Sequence, residues 1–284
     1  MKIILIHLII VLLVPLKSLS QTIPIKIDLI CNGNKLNAFF YPSEKDYSSP
    51  TLILLLGYPG NQNFPLGLGE KLSPLGINVL AFNYQGTWNS EGDFSFESSM
   101  QDAGSAIKFL KKKETIEKFK VDTSNIILGG YSYGGGMALN AAIYNPEIRK
   151  IISIAGADES VFGRKMLADQ NYRNVREQML FKSFYPNGPI KGDFEAVITF
   201  WLSNLDRYDL VLNADSLKDK DILLIGGWDD TGVVIEEHII PLYRKLQYLD
   251  ANQLEVMIFN TDHSFQNVRE ELTETIYRWI TNER

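Results

Sequence analysis

Ile126-Ile127-Leu128-Gly129-Gly130-Tyr131-Ser132-Tyr133-Gly134-Gly135 is a short apolar run that passes through a Gly-x-Ser-x-Gly segment and continues into helical spacing. An apolar run of this length reads as a buried strand. When a strand turns into a helix with almost no loop, the serine at the turn is held in a strained backbone conformation. Its neighbours two residues away must then be small to avoid collision. Gly130 and Gly134 meet that need. Such a turn lifts the Ser132 hydroxyl above the sheet edge. It also leaves the Tyr133 backbone NH at a helix N-terminus, where it can donate to a developing oxyanion. Ser132 is therefore the candidate nucleophile, and the alternative is a glycine-rich turn with no chemistry. The two are separated by whether a base and a carboxylate follow at the right places in the chain.

The surrounding pattern is an alternation of strands and helices. Ile23 to Ile30 and Leu36 to Tyr41 flank Asn32-Gly33-Asn34 and form a hairpin signal. Thr51 to Leu56 and Asn78 to Phe82 are continuous apolar runs, as expected of strands covered on both faces. Helical spacing occupies Gly67 to Leu75, Glu97 to Lys113 and Gly135 to Tyr144. Strands follow at Lys150 to Ala155, Asp221 to Ile225 and Leu254 to Phe259, with helices at Val234 to Leu246 and Val268 to Ile280. This predicts an α/β fold: one mostly parallel sheet with helices on both faces. Between about Ser160 and Lys220 the alternation lapses, and the segment reads as a helical cap insertion. Its aromatic residues Phe184 and Trp201, with Trp88 from an earlier loop, are candidates for the wall of a substrate pocket.

An alcohol needs a base to take its proton during attack, and histidine is best suited to that near neutral pH. The chain has three histidines. His7 lies in the first apolar run. His238 falls within a predicted helix after Glu236-Glu237 and reads as a solvated or packed residue. His263 follows the last strand directly, in a loop at the same sheet edge as Ser132. The base needs a carboxylate to fix its tautomer, and Gly226-Gly227-Trp228-Asp229-Asp230-Thr231-Gly232-Val233 ends the preceding strand at that edge. Asp230 is preferred because Gly227, Asp230 and Val233 give a Gly-x-x-Asp-x-x-Val spacing. Asp229 remains the alternative. Asp262 adjoins His263, and adjacent loop residues rarely point at each other.

Ser132, Asp230 and His263, in that order, resemble the α/β-hydrolase superfamily over essentially the whole chain after residue 20. In that superfamily a second oxyanion donor is the NH following a His-Gly-type pair at the end of an early strand. Leu56-Gly57-Tyr58 occupies that place, so the resemblance implies Tyr58 NH beside Tyr133 NH. Leu56 replaces the usual histidine. Asn83 to Gly92 resembles the Arg-Gly-x-Gly-x-Ser loop of the same superfamily, departing at Gln85 and Trp88. The Gly86 to Ser95 stretch is similar to the branch with dienelactone-hydrolase-like and prolyl-oligopeptidase-like catalytic domains. The resemblance implies a serine hydrolase using a Ser-His-Asp triad. A carboxylic ester is the first expectation for its substrate and a short peptide or amide the second. A non-catalytic binding protein of this fold is the rival from another class. The absence of a β-propeller from these 284 residues weakens an oligopeptidase reading. No metal or organic cofactor is expected, since Glu236-Glu237-His238 has no second histidine to complete a zinc site.

Met1-Lys2 precedes an apolar run ended by Lys17, and Ser18-Leu19-Ser20 supplies small residues for a signal peptidase. Residues 1–20 thus read as a signal peptide removed on export, periplasmic or secreted, leaving a hydrolase domain over 21–284. The run is short for a bilayer span, so no stable membrane insertion is expected once it is gone. Cys31 is the sole cysteine and excludes an internal disulfide. Losing Lys2 and Lys17 takes two of 28 basic residues and none of 34 acidic ones. The excess of negative charge argues against nucleic acid as a partner. Amino-terminal sequencing of the exported protein should read from Gln21; an intact Met1 in a membrane pellet would make the run an anchor.

Overall fold

The computed structural model describes residues 23–63, 66–251 and 253–283. The expected signal peptide, with His7 and the cleavage position before Gln21, lies outside the described residues.

Strands β1 (Ile25–Cys31) and β2 (Asn34–Tyr41) form the hairpin around Asn32-Gly33. Then come β3 (Ser49–Leu55), α1 (Leu68–Leu72), β4 (Asn78–Phe82), α2 (Phe96–Leu110) and α3 (Lys113–Phe119). The elbow strand β5 (Val121–Tyr131) leads into α4 (Tyr133–Tyr144) and β6 (Lys150–Ile154). Between β6 and the next strand the chain is helical: α5 (Glu159–Ala168), α6 (Gln170–Phe181), α7 (Phe194–Ser203), α8 (Leu205–Tyr208) and a 3-10 turn over Ala214–Leu217. Strand β7 (Asp221–Gly227), α9 (Ile235–His238), α10 (Ile240–Tyr248), β8 (Gln253–Phe259) and α11 (Arg269–Thr281) complete the chain. The eight strands lie in the order β1-β2-β4-β3-β5-β6-β7-β8. Among the described residues, the β1–β2 and β2–β4 strand pairs are antiparallel and the other strand pairs parallel. This is the α/β-hydrolase fold.

Two local readings need correction. Helical spacing from Glu97 to Lys113 suggested one helix, but α2 stops at Leu110 and Lys113 opens α3. Lys111 and Lys112 lie between the two helices. The helix expected over Val234 to Leu246 is also two, because Pro241 has no NH to bond back into the turn before it and sits in the first turn of a separate α10 that starts at Ile240.

The central strands of the sheet are buried on both faces, as their continuous apolar runs require, while β1 and β8 keep exposed residues. On one side Met100, Ala103 and Ile107 of α2, Met137 and Ala141 of α4 and Leu242 of α10 pack on Ile53, Leu128 and Ile151. On the other, Leu68 and Leu72 of α1 and Leu272, Ile276 and Ile280 of α11 cover Leu54, Ile127, Ile152 and Leu223. With β3, β5, β6, β7 and β8 parallel, the loops that follow them all emerge at one edge. That shared edge is the reason distant residues can meet.

The elbow is sterically closed. Ser132 sits at φ 56°, ψ −122°, a region non-glycine residues seldom enter. A Cβ on Gly130 would lie 2.1 Å from the Gly134 carbonyl oxygen, and one on Gly134 would lie 2.3 Å from that of Leu55. Gly130→Ala should therefore cost about 2 kcal/mol or more, at the upper end of overpacking penalties, read as a lower midpoint in denaturant. An unchanged midpoint would show that the elbow relaxes around a methyl group.

Candidate active site

Three of the edge loops deliver Ser132, Asp230 and His263 to one point. The Ser132 NH donates to Ile154 O at 2.8 Å, and its carbonyl accepts from the NH groups of Gly135, Gly136 and Ala157. This pins the strained residue to both α4 and the loop after β6. The Ser132 Oγ lies 3.0 Å from His263 Nε2, and His263 Nδ1 lies 2.6 Å from Asp230 Oδ2. With the Nδ1 proton held by the carboxylate, Nε2 is left as the acceptor facing the serine hydroxyl.

Asp230 is fixed before it meets the histidine. Its Oδ1 accepts from the NH groups of Gly232 and Val233 at 2.8 Å each, a turn in which a carboxylate caps the residues two and three positions on. Its side chain has no solvent exposure. Burial alone would raise its pKa, but the bonds from His263, Val233 and Gly232 outweigh it and hold the carboxyl below the usual range. Asp229 points elsewhere: it is exposed, and its NH donates to Thr261 O. Asp262 turns to Ser264, accepting from both its NH and its hydroxyl. The His263 loop is steadied by the Tyr131 hydroxyl, which donates to His263 O at 2.7 Å, and by Arg269, which donates to Ser264 O. His238 is packed and distant in role. Its Nδ1 accepts from the Asp158 NH, its ring lies 4.6 Å from Phe162, and burial pushes its pKa down to about 4.

Tyr133 is the first residue of α4, so its NH has no partner within the helix. Tyr58 follows Gly57, whose backbone packs so closely on the elbow that a Cβ there would come within 3.4 Å of the Ser132 Cβ. The Tyr58 loop is supported from below by the Tyr84 hydroxyl, which donates to Leu56 O at 3.0 Å. The Asn83 to Gly92 segment that departs from its superfamily pattern is a bonded turn. Gln85 donates through its NH and Nε2 to the two oxygens of buried Asp102, and the Ser90 hydroxyl donates to Asn83 O.

A cavity of about 150 Å³ opens beside Ser132 and His263. Tyr58, Phe96, Tyr133, Ala157, Gly232 and Val233 line it. The helices between β6 and β7 supply Glu159, Phe162, Arg176, Met179, Leu180 and Trp201. Of the three aromatic residues proposed for the pocket from sequence, only Trp201 lines it, fully buried and stacked on Phe96 with centroids 4.9 Å apart. Phe184 is turned into the core between Phe94 and Phe194. Trp88 lies outside the cavity, two-fifths exposed, with its indole NH donating to Pro59 O. Both placements follow from packing that helical spacing does not report. The residues missed, above all Glu159 and Arg176, had one usable signal: Asp158-Glu159 follows β6 at the same edge as the serine.

Glu159 and Arg176 set the electrostatics of this cavity. Asp158 caps α5 by accepting from the Ser160 NH and hydroxyl and also accepts from the Leu210 NH, tying the cap to the edge. This places Glu159 in the first helical turn, only 4 % exposed. Burial pushes its pKa up to about 7, against the pull of the Arg176 charge and with a smaller push from Asp158. The Arg176 guanidinium lies 4.0 Å over the Phe162 ring, and its Nε is buried without a hydrogen-bond partner among the described residues.

The sequence model of the prolyl oligopeptidase family, a peptidase family, matches residues 70–283, three quarters of the chain. The chain belongs to the prolyl oligopeptidase family. Its fold is that of an esterase from Pyrococcus furiosus, 20 % identical with a TM-score of 0.66 over 94 % of this chain and 92 % of that one. A Butyrivibrio proteoclasticus protein solved with ferulic acid bound is similar too, at 16 % identity and a TM-score of 0.64 over 90 % and 98 %. In sequence, 155 residues are 28 % identical to a thiohydrolase of Aspergillus aculeatus, covering 53 % of this chain and 46 % of that protein. An uncharacterized protein of Mycobacterium tuberculosis is 27 % identical over 135 residues, 46 % of each chain. The chain spans about half the length of the curated relatives it matches. Among the described residues no group of histidine, cysteine or acidic side chains could hold a metal ion, and no helix is long and apolar enough to cross a membrane.

An acid whose pKa is higher in the folded state binds its proton more tightly there, so its contribution to stability falls as pH rises from the ordinary value of 4.5 through about 7. Glu159→Gln should therefore stabilise the protein at pH 8 by on the order of 1 to 3 kcal/mol, a gain that disappears near pH 4.5. Denaturant titrations at the two pH values check this; a loss at pH 8 would mean the carboxylate is satisfied in the folded state.

Proposed function

We propose that this hydrolase cleaves carboxylic esters by acyl transfer through Ser132, His263 and Asp230. The observation that carries the reading is the unbroken line from the Asp230 carboxylate through the His263 ring to the Ser132 hydroxyl, at 2.6 and 3.0 Å. His263 Nε2 takes the Ser132 proton as Oγ attacks the carbonyl carbon, and Asp230 steadies the imidazolium that forms. The NH groups of Tyr133 and Tyr58 receive the negative charge that develops on the carbonyl oxygen. Collapse of the tetrahedral intermediate expels the alcohol, which takes the proton from His263. Water, deprotonated by the same ring, then releases the acid and restores the serine.

An ester is favoured over an amide by the likeness to the Pyrococcus furiosus esterase. A peptidase reading of the same site is supported by the family and by an acylaminoacyl peptidase of Pyrococcus horikoshii, 16 % identical with a TM-score of 0.65 over 93 % of this chain and 42 % of that one. Its substrates on this reading are small esters or short peptides, and the acidic composition argues against nucleic acid. The charged start, short apolar run and Ser18-Leu19-Ser20 support an exported enzyme.

A fluorophosphonate probe should label Ser132, and Ser132→Ala should lower kcat on 4-nitrophenyl acetate on the order of 10³-fold or more. Asp230→Asn should cost about 10⁴-fold by misdirecting the imidazole, whereas Asp229→Asn should stay close to the parent enzyme. Full activity in Ser132→Ala would place the nucleophile elsewhere, and the reverse ranking of the two aspartates would move the orienting role to Asp229.

A further inference from the structure

Two charged side chains share the cavity with Ser132 and His263, and the proposed acyl transfer uses neither. Glu159 is 96 % buried, and no hydrogen bond to its carboxylate joins it to another of the described residues. Arg176 lines the same cavity with its Nε buried and unpartnered. The two interact through charge, yet no ion pair joins them. Burying a guanidinium NH without a partner is expensive, and so is holding a carboxylate at the wall of a largely apolar cavity. It is understandable in a site where a ligand supplies the missing partners.

The sign of the two charges limits what that ligand can be. A cationic group drawn to Glu159 would meet Arg176, and an anionic group drawn to Arg176 would meet Glu159. A neutral hydroxyl suits both, since its proton can be given to a Glu159 oxygen while its own oxygen accepts from the Arg176 guanidinium. The remaining wall is apolar and aromatic, from Phe96, Phe162, Leu180 and Trp201. A cavity of about 150 Å³ has room for a single six-membered ring. We propose that Glu159 and Arg176 read a hydroxyl group on a ring-sized acyl group, so that the preferred substrates are esters of small hydroxyaryl acids. This rests on the ester reading and narrows it.

Sites that hydrogen-bond a substrate hydroxyl reject the analogue lacking it, because their own polar groups are then left unpaired. The comparison is kcat/KM for methyl 4-hydroxyphenylacetate against methyl phenylacetate, with 4-nitrophenyl acetate as a control for the chemistry itself. The parent enzyme should favour the hydroxylated ester by about tenfold or more. Glu159→Leu should bring the ratio to about threefold or less, chiefly through KM for the hydroxylated ester. Glu159→Gln, which keeps an accepting oxygen, should retain part of the preference. Arg176→Met should lower the ratio independently, and it reads the same quantity if the leucine variant fails to fold. Equal rates on the two methyl esters, or no cleavage of either, by an enzyme that turns over 4-nitrophenyl acetate would overturn the hydroxyl assignment and leave the ester reading standing. A preference that survives both Glu159→Leu and Arg176→Met would overturn it as well. Failure on all three esters, with Ser132 still labelled by fluorophosphonate, would overturn both.

Discussion

The passage from β5 into α4 without a loop is the constraint on which the rest of the structure depends. It forces Ser132 into a backbone conformation whose cost is on the order of 1 to 3 kcal/mol, and such a conformation persists only where its surroundings over-determine it. Four backbone hydrogen bonds do so: Ser132 donates to Ile154 O and accepts from Gly135, Gly136 and Ala157. The same bonds carry the strain into the neighbouring elements. Gly136 lies so close to the loop after β6 that a Cβ would come 1.8 Å from the Ala157 carbonyl oxygen. The serine, the helix behind it and the start of the cap are thus one rigid unit, and the position of the hydroxyl is set by packing rather than by a flexible loop.

Two carboxylates near that hydroxyl illustrate how surroundings divide identical chemistry. Asp230 is buried and accepts from two backbone NH groups and the imidazole, so it stays ionised and directional. Glu159 is buried without such donors, and burial raises its pKa instead. The first arrangement suits a group that must hold a histidine in one tautomer throughout a reaction. The second suits a group whose partner arrives with the substrate. Burial is common to both, and the supply of hydrogen-bond donors decides the difference.

The cap is held to the sheet edge by polar as well as apolar contacts. Asp158 bonds forward to Ser160 and across to Leu210, and Arg207 pairs with Glu97 of α2. Trp201 stacks on Phe96 while Phe96 also meets Tyr133 edge-on. The cavity wall is therefore continuous with the elbow. A change of side chain in the cap is transmitted to the serine through a single layer of rings.

Much of this was legible in the residues themselves, because local sterics and periodicity leave a direct mark on sequence. The elbow needed small residues at 130 and 134, and continuous apolar runs had to be strands buried on both faces. The order of Ser132, Asp230 and His263 could be matched to strand ends at one edge. Helix ends at Leu110 and His238 were less visible, since they turn on capping and on a single proline within otherwise unbroken apolar spacing. What the sequence could not supply was the cavity. Whether an aromatic residue of the cap faces the serine or the core depends on how α5, α6 and α7 dock, and only that docking turned Phe184 inward and left Trp201 on the wall. The same docking brought Glu159 and Arg176 together across 17 positions of chain. Periodicity records which residues are buried. Which of them share a cavity is fixed only when separate elements pack, because that depends on relative orientations that no local pattern encodes.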